Sequence, residues 1–253
     1  MNTTTTTPDA ETLAQLLADL KLPFMLEHAA ELAREAAQAH WDHLAFLTRL
    51  LEGEAALRRE RSVRRRIAQA RFPVIKTLEQ FQWSWPKTIN RLQVQNLFRL
   101  QFLADQHNLI FLGTVGLGKT HLATALGYAA CLAGYSVRFA TAVEVINSLA
   151  AAQRGGRLKQ ALESYRKPAL LILDELGYLP IDKTGADLLF QIISLRYERG
   201  AIVITSNRAF KHWAEIFNHD ATLTSALLDR LLHHAETVLI EGQSYRMKDR
   251  IES

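Results

Sequence analysis

Cysteine is nearly absent: the 253-residue chain has one, Cys131. That excludes an internal disulfide framework and points to a reducing compartment. On an apolar helix such a thiol reads as a small core residue. No apolar run reaches the length that crosses a bilayer. The N-terminus, MNTTTTTPDA, lacks a basic stretch followed by an apolar one, so no secretory signal is read there. A soluble, cytoplasmic protein without membrane contact is expected. No internal repeat is found, and the threonine run is expected to be a disordered tail within residues 1–10. Histidines at i, i+4 are missing from the one His-rich site, because His233 and His234 are adjacent; no structural metal is expected from them. Acidic residues are scarce in one segment. Residues 53–76 hold 8 basic and 2 acidic groups, a net of +6, whereas residues 1–52 hold 3 basic and 8 acidic, a net of −5. The whole chain nets only +4, so this asymmetry suggests a polyanionic partner.

What is present is an ordinary globular composition, 48% hydrophobic, enough for a core domain with a smaller companion. Residues 11–71 read as helical, with Leu13, Leu16, Leu17 and Leu20, then Leu44, Leu47, Leu50 and Leu51, at helical spacing. Leu22-Pro23 interrupts the first segment. Pro73 ends the last helix, so the expected domains are 11–72, helical, and 73–253. Beyond a short linker the pattern alternates. Strands are expected at Leu109–Leu112, Val137–Thr141, Leu170–Leu173 and Ala201–Thr205, with helices at Thr120–Leu132, Val143–Gln153 and Asp187–Tyr197. Apolar strands separated by helices indicate an α/β fold, a parallel sheet covered on both faces.

The chemistry begins at Gly113-Thr114-Val115-Gly116-Leu117-Gly118-Lys119-Thr120, a G-x-x-x-x-G-K-[ST] loop between a strand and a helix. Glycines let successive N–H groups face a phosphate. Lys119 reaches the terminal phosphates and Thr120 offers a hydroxyl to Mg2+, so the expected cofactors are ATP and Mg2+. His121 follows directly and is counted with the nucleotide site. The run Leu170-Leu171-Ile172-Leu173-Asp174-Glu175 is an apolar strand ending in two acids, delivered to the crevice at the sheet's C-terminal edge. Asp174 is expected to hold Mg2+ and Glu175 to deprotonate the attacking water. A third strand ends at Asn207, whose amide could position that water, although Ser-Asn also simply makes turns. Arg230 sits in an otherwise apolar helix, Ala226–Leu232, and must be paired or reach a surface; there it could face a γ-phosphate.

Two segments could hold DNA. Arg58, Arg59, Arg61, Arg64, Arg65, Arg66 and Arg71 share one predicted helix, with Arg58, Arg61 and Arg65 on one side. Arginine forks suit phosphates and carry affinity without sequence information; a solvated basic face is the alternative. Arg154, Arg157 and Lys159 flank a Gly-Gly turn, which could equally be an ordinary loop. Trp41, Trp83, Trp85 and Trp213 fit packing better than base stacking.

In their order, GTVGLGKT, LLILDELGY, ITSN and LLDRLLHHA resemble the AAA+ ATPases, specifically the IstB/DnaC-like group, and most nearly IstB. KTLEQFQW (Lys76–Trp83), DELGYLP (Asp174–Pro180), TSNR (Thr205–Arg208), DRLLHHA (Asp229–Ala235) and GQSYRMK (Gly242–Lys248) carry the likeness, over about residues 10–250. The resemblance implies an AAA+ core after a small all-α N-terminal domain. It also implies an ATPase that binds double-stranded DNA, assembles on it as a homo-oligomer, and assists a DDE-type transposase at its target. By the same likeness Arg230 falls at the arginine finger, Asn207 at the first sensor, and Leu78 to Phe81 where adenine packs. The loop at Arg154–Lys159 then faces DNA. The chain ends soon after Arg246, so the helical lid is expected to be reduced or absent, with Arg246 a candidate second sensor. The alternative is a DnaC-type helicase loader; an inactive scaffold fits poorly with intact Lys119, Thr120, Asp174 and Glu175.

Overall fold

A computed structural model describes residues 10–245; the expected tail and Arg246 lie outside them. The chain divides into two compact units, residues 1–65 and 66–253. The first holds α1 (Ala10–Asp19), α2 (Pro23–Gln38) and most of α3 (His43–Ala70). Pro23 opens α2, where its missing N–H costs nothing. The Phe24 N–H in that first turn donates to the buried carboxylate of Glu54 at 2.9 Å. Negative charge at a helix N-terminus is favourable, which explains why an acid is buried there. Gly53 stands beside it because a side chain at that position would collide with the Phe24 ring.

The second unit continues with α4 (Arg91–Leu97), α5 (Gln101–Ala104) and β1 (Asn108–Leu112). Next come α6 (Lys119–Leu132), β2 (Val137–Thr141), α7 (Ala142–Arg154), α8 (Leu158–Arg166), β3 (Leu170–Leu176), α9 (Lys183–Arg196) and β4 (Ala201–Ser206). A 3-10 turn, α10 (Trp213–Ile216), α11 (Ala221–Leu232) and β5 (Ala235–Leu239) complete it. The five strands form one parallel sheet in the order β2-β3-β4-β1-β5. β1 and β4 are buried at every residue, whereas the edge strands β2 and β5 are only partly so. Central parallel strands are dry on both faces, hence their continuous apolar runs.

Alternation along the strands sorts the core into two layers. Leu109, Phe111, Leu170, Ile172 and Val203 pack with Leu122, Leu126 and Cys131 of α6. Ile110, Leu112, Leu171, Leu173, Ile202 and Ile204 pack with α7, α9 and α11. Burial pushes the Cys131 thiol up to about 11, as expected for a core residue. Asn108 joins the layers: its side chain accepts from the Ile202 N–H and donates to the Leu231 carbonyl.

Three elements escape the sequence pattern or shift from it. Strand β5 is short, half-polar and at an edge. Helix α8 stands where the Gly-Gly turn suggests only a loop. Helix α9 begins at Lys183, not Asp187, because the Asp182 side chain caps it by accepting from Gly185 N. Among the described residues no α-helix follows β5, and no helix is long and apolar enough to cross a membrane.

Arg196, at the end of α9, is buried, and among the described residues no carboxylate pairs with it. Its guanidinium donates to the carbonyls of Tyr165, Arg166, Pro168, Ala169 and Ala201, gathering the end of α8 and the starts of β3 and β4. Burial holds its pKa down to about 10, so it remains a cation at neutral pH. Arg196→Met should strand those carbonyls and lower stability by roughly 3 kcal/mol or more. Urea unfolding would read this as a lower midpoint at unchanged slope; a loss under about 0.5 kcal/mol would mean the carbonyls find other donors.

Candidate active site

The loop from Gly113 to Gly118 leaves the C-terminal end of β1 and enters α6. Gly116 and Gly118 have φ of +79° and +85°, a region open to glycine. A Cβ at Gly118 would come within 2.6 Å of the Phe81 ring, and one at Gly116 would collide with the Ser244 hydroxyl. Both glycines therefore serve conformation and close approach together.

Beside the loop lies a cavity of about 490 Å3, within the size range of small-molecule sites. Gly116 to His121, Thr124 and Glu175 line it, together with Lys76, Gln80, Phe81, Trp85, Tyr178 and Tyr245. Lys119 is buried, and its ammonium donates to the Thr114 carbonyl at 2.7 Å. Thr120 Oγ1 donates to Asp174 at 3.0 Å, and Thr205 Oγ1 donates to the same carboxylate. Burial raises the Asp174 pKa; the two hydroxyls and Lys119 oppose that rise without cancelling it.

The register between β3 and β4 shifts between Leu173 and Leu176. Glu175 adopts φ +61°, unusual for a residue with a Cβ. Its N–H leaves the ladder and donates to Thr205 Oγ1 at 2.9 Å. This irregularity frees the Glu175 side chain to line the cavity while Asp174 stays buried. Strain of this kind, about 1–3 kcal/mol, persists where the surroundings enforce it.

His121 Nε2 lies 2.8 Å from the Thr77 carbonyl, which can only accept, so that nitrogen carries the proton. Burial lowers the ring's pKa. Phe81 packs edge-on against His121 and Trp83. Leu78, by contrast, does not line the cavity; it supports the core behind it. Asn207 follows β4 directly. Its neighbour Ser206 pairs with the ends of both β1 and β3, and the Asn207 Oδ1 is buried with no hydrogen-bond partner among the described residues.

Arg230 is remote from this cavity. It lies near the end of α11, beside the edge where β5 begins, whereas the loop lies where β1 ends. Five-residue strands put these edges about 17 Å apart. Its guanidinium sits 4.7 Å over the Phe190 ring of α9 and donates to the Ala226 carbonyl.

The candidate DNA residues differ in availability. Arg58 donates to Glu54 at 3.2 Å and to the Lys21 carbonyl, so the acid that caps α2 also engages this arginine. Arg64 pairs with Glu60. Arg66 is half-buried and donates to the Cys131 carbonyl in the last turn of α6. Arg61 and Arg65 are exposed. So are Arg154, Arg157 and Lys159, at the turn between α7 and α8.

A family model described as IstB-like ATP binding protein matches residues 15–253. The chain belongs to the IstB-like ATP-binding proteins. It is 41% identical over 238 residues to a Pseudomonas aeruginosa protein named for ATP binding in insertion sequence IS21, spanning 94% of this chain and 89% of that one. A Geobacillus stearothermophilus counterpart, from insertion sequence IS5376, is 38% identical across 91% of this chain and 92% of its own. Among solved structures, AMPPCP-bound DnaA from Aquifex aeolicus superposes with a TM-score of 0.57 at 23% identity, covering 72% of this chain and 55% of that one. The DnaC helicase loader gives 0.53 at 22%, covering 65% and 96%. These last two show the fold alone, that of the parallel-sheet core with its flanking helices.

Within this IstB-like chain, several cavity residues are not legible in the sequence. Trp85, expected to pack, instead lines the cavity, donates to the Gln243 carbonyl and meets Tyr245 edge-on. Thr205 reads from sequence only as part of a strand end; alternation along β4 turns its hydroxyl to Asp174. No spacing rule links residues that far apart in sequence.

The raised pKa of Asp174 has a testable sign. A carboxyl raised above its unfolded value favours folding while protonated, and that advantage is lost as pH rises through the folded value. At neutral pH the ionised group is thus a net burden on the ligand-free protein. Asp174→Asn should raise the thermal midpoint, by about 2–4 °C for each kcal/mol relieved. A midpoint that falls would show that the hydroxyl bonds outweigh the burial.

Proposed function

We propose that this protein is an ATP-hydrolysing helper of insertion-sequence transposition that assembles on double-stranded DNA and brings a DDE-type transposase to it. The nucleotide reading rests on the cavity. Phe81 and Trp85, both lining the cavity, offer apolar surface for a base. The loop N–H groups and Lys119, released from Thr114, would take the phosphates. Thr120 and Asp174 form an all-oxygen donor set that would hold Mg2+, whose charge would offset the negative charge that develops in phosphoryl transfer. Glu175 would accept the proton of the attacking water, with Asn207 aligning that water through its unpartnered amide oxygen.

The observation that carries the assembly reading is the position of Arg230. It stands at the far edge of the sheet from its own cavity. As a finger, it would have to enter the site of a second copy, so hydrolysis would require assembly. Arg61 and Arg65, and separately Arg154, Arg157 and Lys159, supply exposed cations for phosphates. Arg58 and Arg66 would contribute only after leaving their present partners. The names of the relatives favour transposition over helicase loading.

Glu175→Gln should leave ATP binding intact and slow hydrolysis by about 10²–10⁴-fold. Single-turnover measurements that show an unchanged rate would remove Glu175 as the base. Charge reversal of Arg61 and Arg65 should weaken duplex binding and flatten the log–log salt dependence by about 0.9 for each phosphate no longer neutralised. The same reversal at Arg154, Arg157 and Lys159 tests the second surface. Slopes untouched by both would refute DNA binding through either.

A further inference from the structure

Adjacent histidines on one helix point about 100° apart, which argues against a shared ion. The structure removes that objection. Helix α11 ends at Leu232, and His233 and His234 occupy the turn into β5. Their ring centroids lie 4.0 Å apart. Glu198, in the turn after α9, has φ +54° and brings its carboxylate beside both rings. Its Oε1 lies 3.9 Å from His233 Nδ1 and 3.7 Å from His234 Nε2. All three ligand atoms fall within 4.8 Å of one another.

Those separations are close to what an ion needs. Four ligands at about 2.0–2.2 Å in a tetrahedron stand about 3.3–3.6 Å apart. Small rotations of three half-exposed side chains would close the difference. The backbone around them is already held: Asn108 N donates to the His234 carbonyl at 2.7 Å, and the His107 ring stacks on His234 at 4° and 5.2 Å. Tyr197 Oη lies 2.8 Å from His233 Nδ1. A hydroxyl donating there would leave that nitrogen its lone pair, the form that binds metal.

We propose that Glu198, His233 and His234 form a site for a borderline divalent cation, Zn2+ foremost, with water as the fourth ligand. Two imidazoles and one carboxylate select such ions over Mg2+ or Ca2+. The site is separate from the nucleotide cavity, at the opposite edge of the sheet. An ion there would take the place of the Tyr197 hydroxyl at Nδ1. It would join the ends of α9 and α11, the two helices that hold Arg230 over Phe190. The binding itself does not depend on Arg230 acting as a finger.

The test uses the full chain without a polyhistidine tag, stripped of metal and free of nucleotide, because ATP itself binds zinc. Co2+ titration followed by visible absorption should give one equivalent with the intense bands of a tetrahedral site, displaced by Zn2+. Competition against a chromophoric chelator should show Zn2+ binding weakened at least about 10-fold by His234→Ala and by Glu198→Gln. Tyr197→Phe should bind as tightly or more tightly, because the competing hydroxyl is gone. Circular dichroism confirms that each variant is folded. Zn2+ affinity unchanged in the His234 and Glu198 variants would overturn the proposal. So would a loss in Tyr197→Phe as large as in His234→Ala, which would mean that the turn, not ligation, had been disturbed.

Discussion

A carboxylate that must stay buried and yet usable organises this molecule. Asp174 lies at the C-terminal end of a central strand, with apolar neighbours above and below. Two threonine hydroxyls, from the start of α6 and from β4, keep it hydrogen-bonded. That arrangement requires β3 to lie beside β4, and it requires the phosphate loop to turn directly into α6. A strand order that separated β3 from β4 would leave the acid without the Thr205 hydroxyl, and a buried acceptor that loses a donor is costly.

The same strand then has to present the next residue differently. Continued pleating would send Glu175 to the opposite face of the sheet, into the layer of α7, α9 and α11. The register shift and the left-handed backbone at Glu175 prevent this, and Thr205 takes up the freed N–H. Thr205 therefore serves both acids, one through its hydroxyl proton and the other through its lone pair. Local strain and burial are coupled at a single side chain, which makes the acid pair one structural unit.

At the other edge of the sheet the problem is reversed: positive charge must be held without acids. Arg196 is surrounded by five carbonyls and Arg230 by an aromatic face and a carbonyl. Arg196 is sealed in and structural. Arg230 is half-buried, near the turn where Glu198, His233 and His234 meet. The two edges thus differ in what they gather: the glycine loop and the acid pair at one, a cationic side chain and imidazoles at the other.

Much of this is legible in the sequence because it is local. The glycine loop, the apolar strand ending in two acids and the arginine-rich segment each lie within a few residues, where spacing alone dictates geometry. The strands at Val137–Thr141 and Ala201–Thr205 and the helix after the loop are legible for the same reason. Other features depend on residues far apart in sequence. Glu54 is buried beside Arg58 only because the start of α2 packs on α3, an arrangement that charge counting along the segment does not register. Trp85 reaches the cavity because the chain near Gln243 returns to hold it. Leu78 and Phe81 are three residues apart, yet only Phe81 reaches the cavity. The histidine pair shows the limit most clearly: its sequence spacing excludes a shared ion only while the helix is assumed to continue. The sequence by itself determined which chemistry this protein carries, because each motif is a short stretch with its own backbone requirement. Only the tertiary structure decided which groups meet, because burial and strand order bring together side chains that no local rule relates.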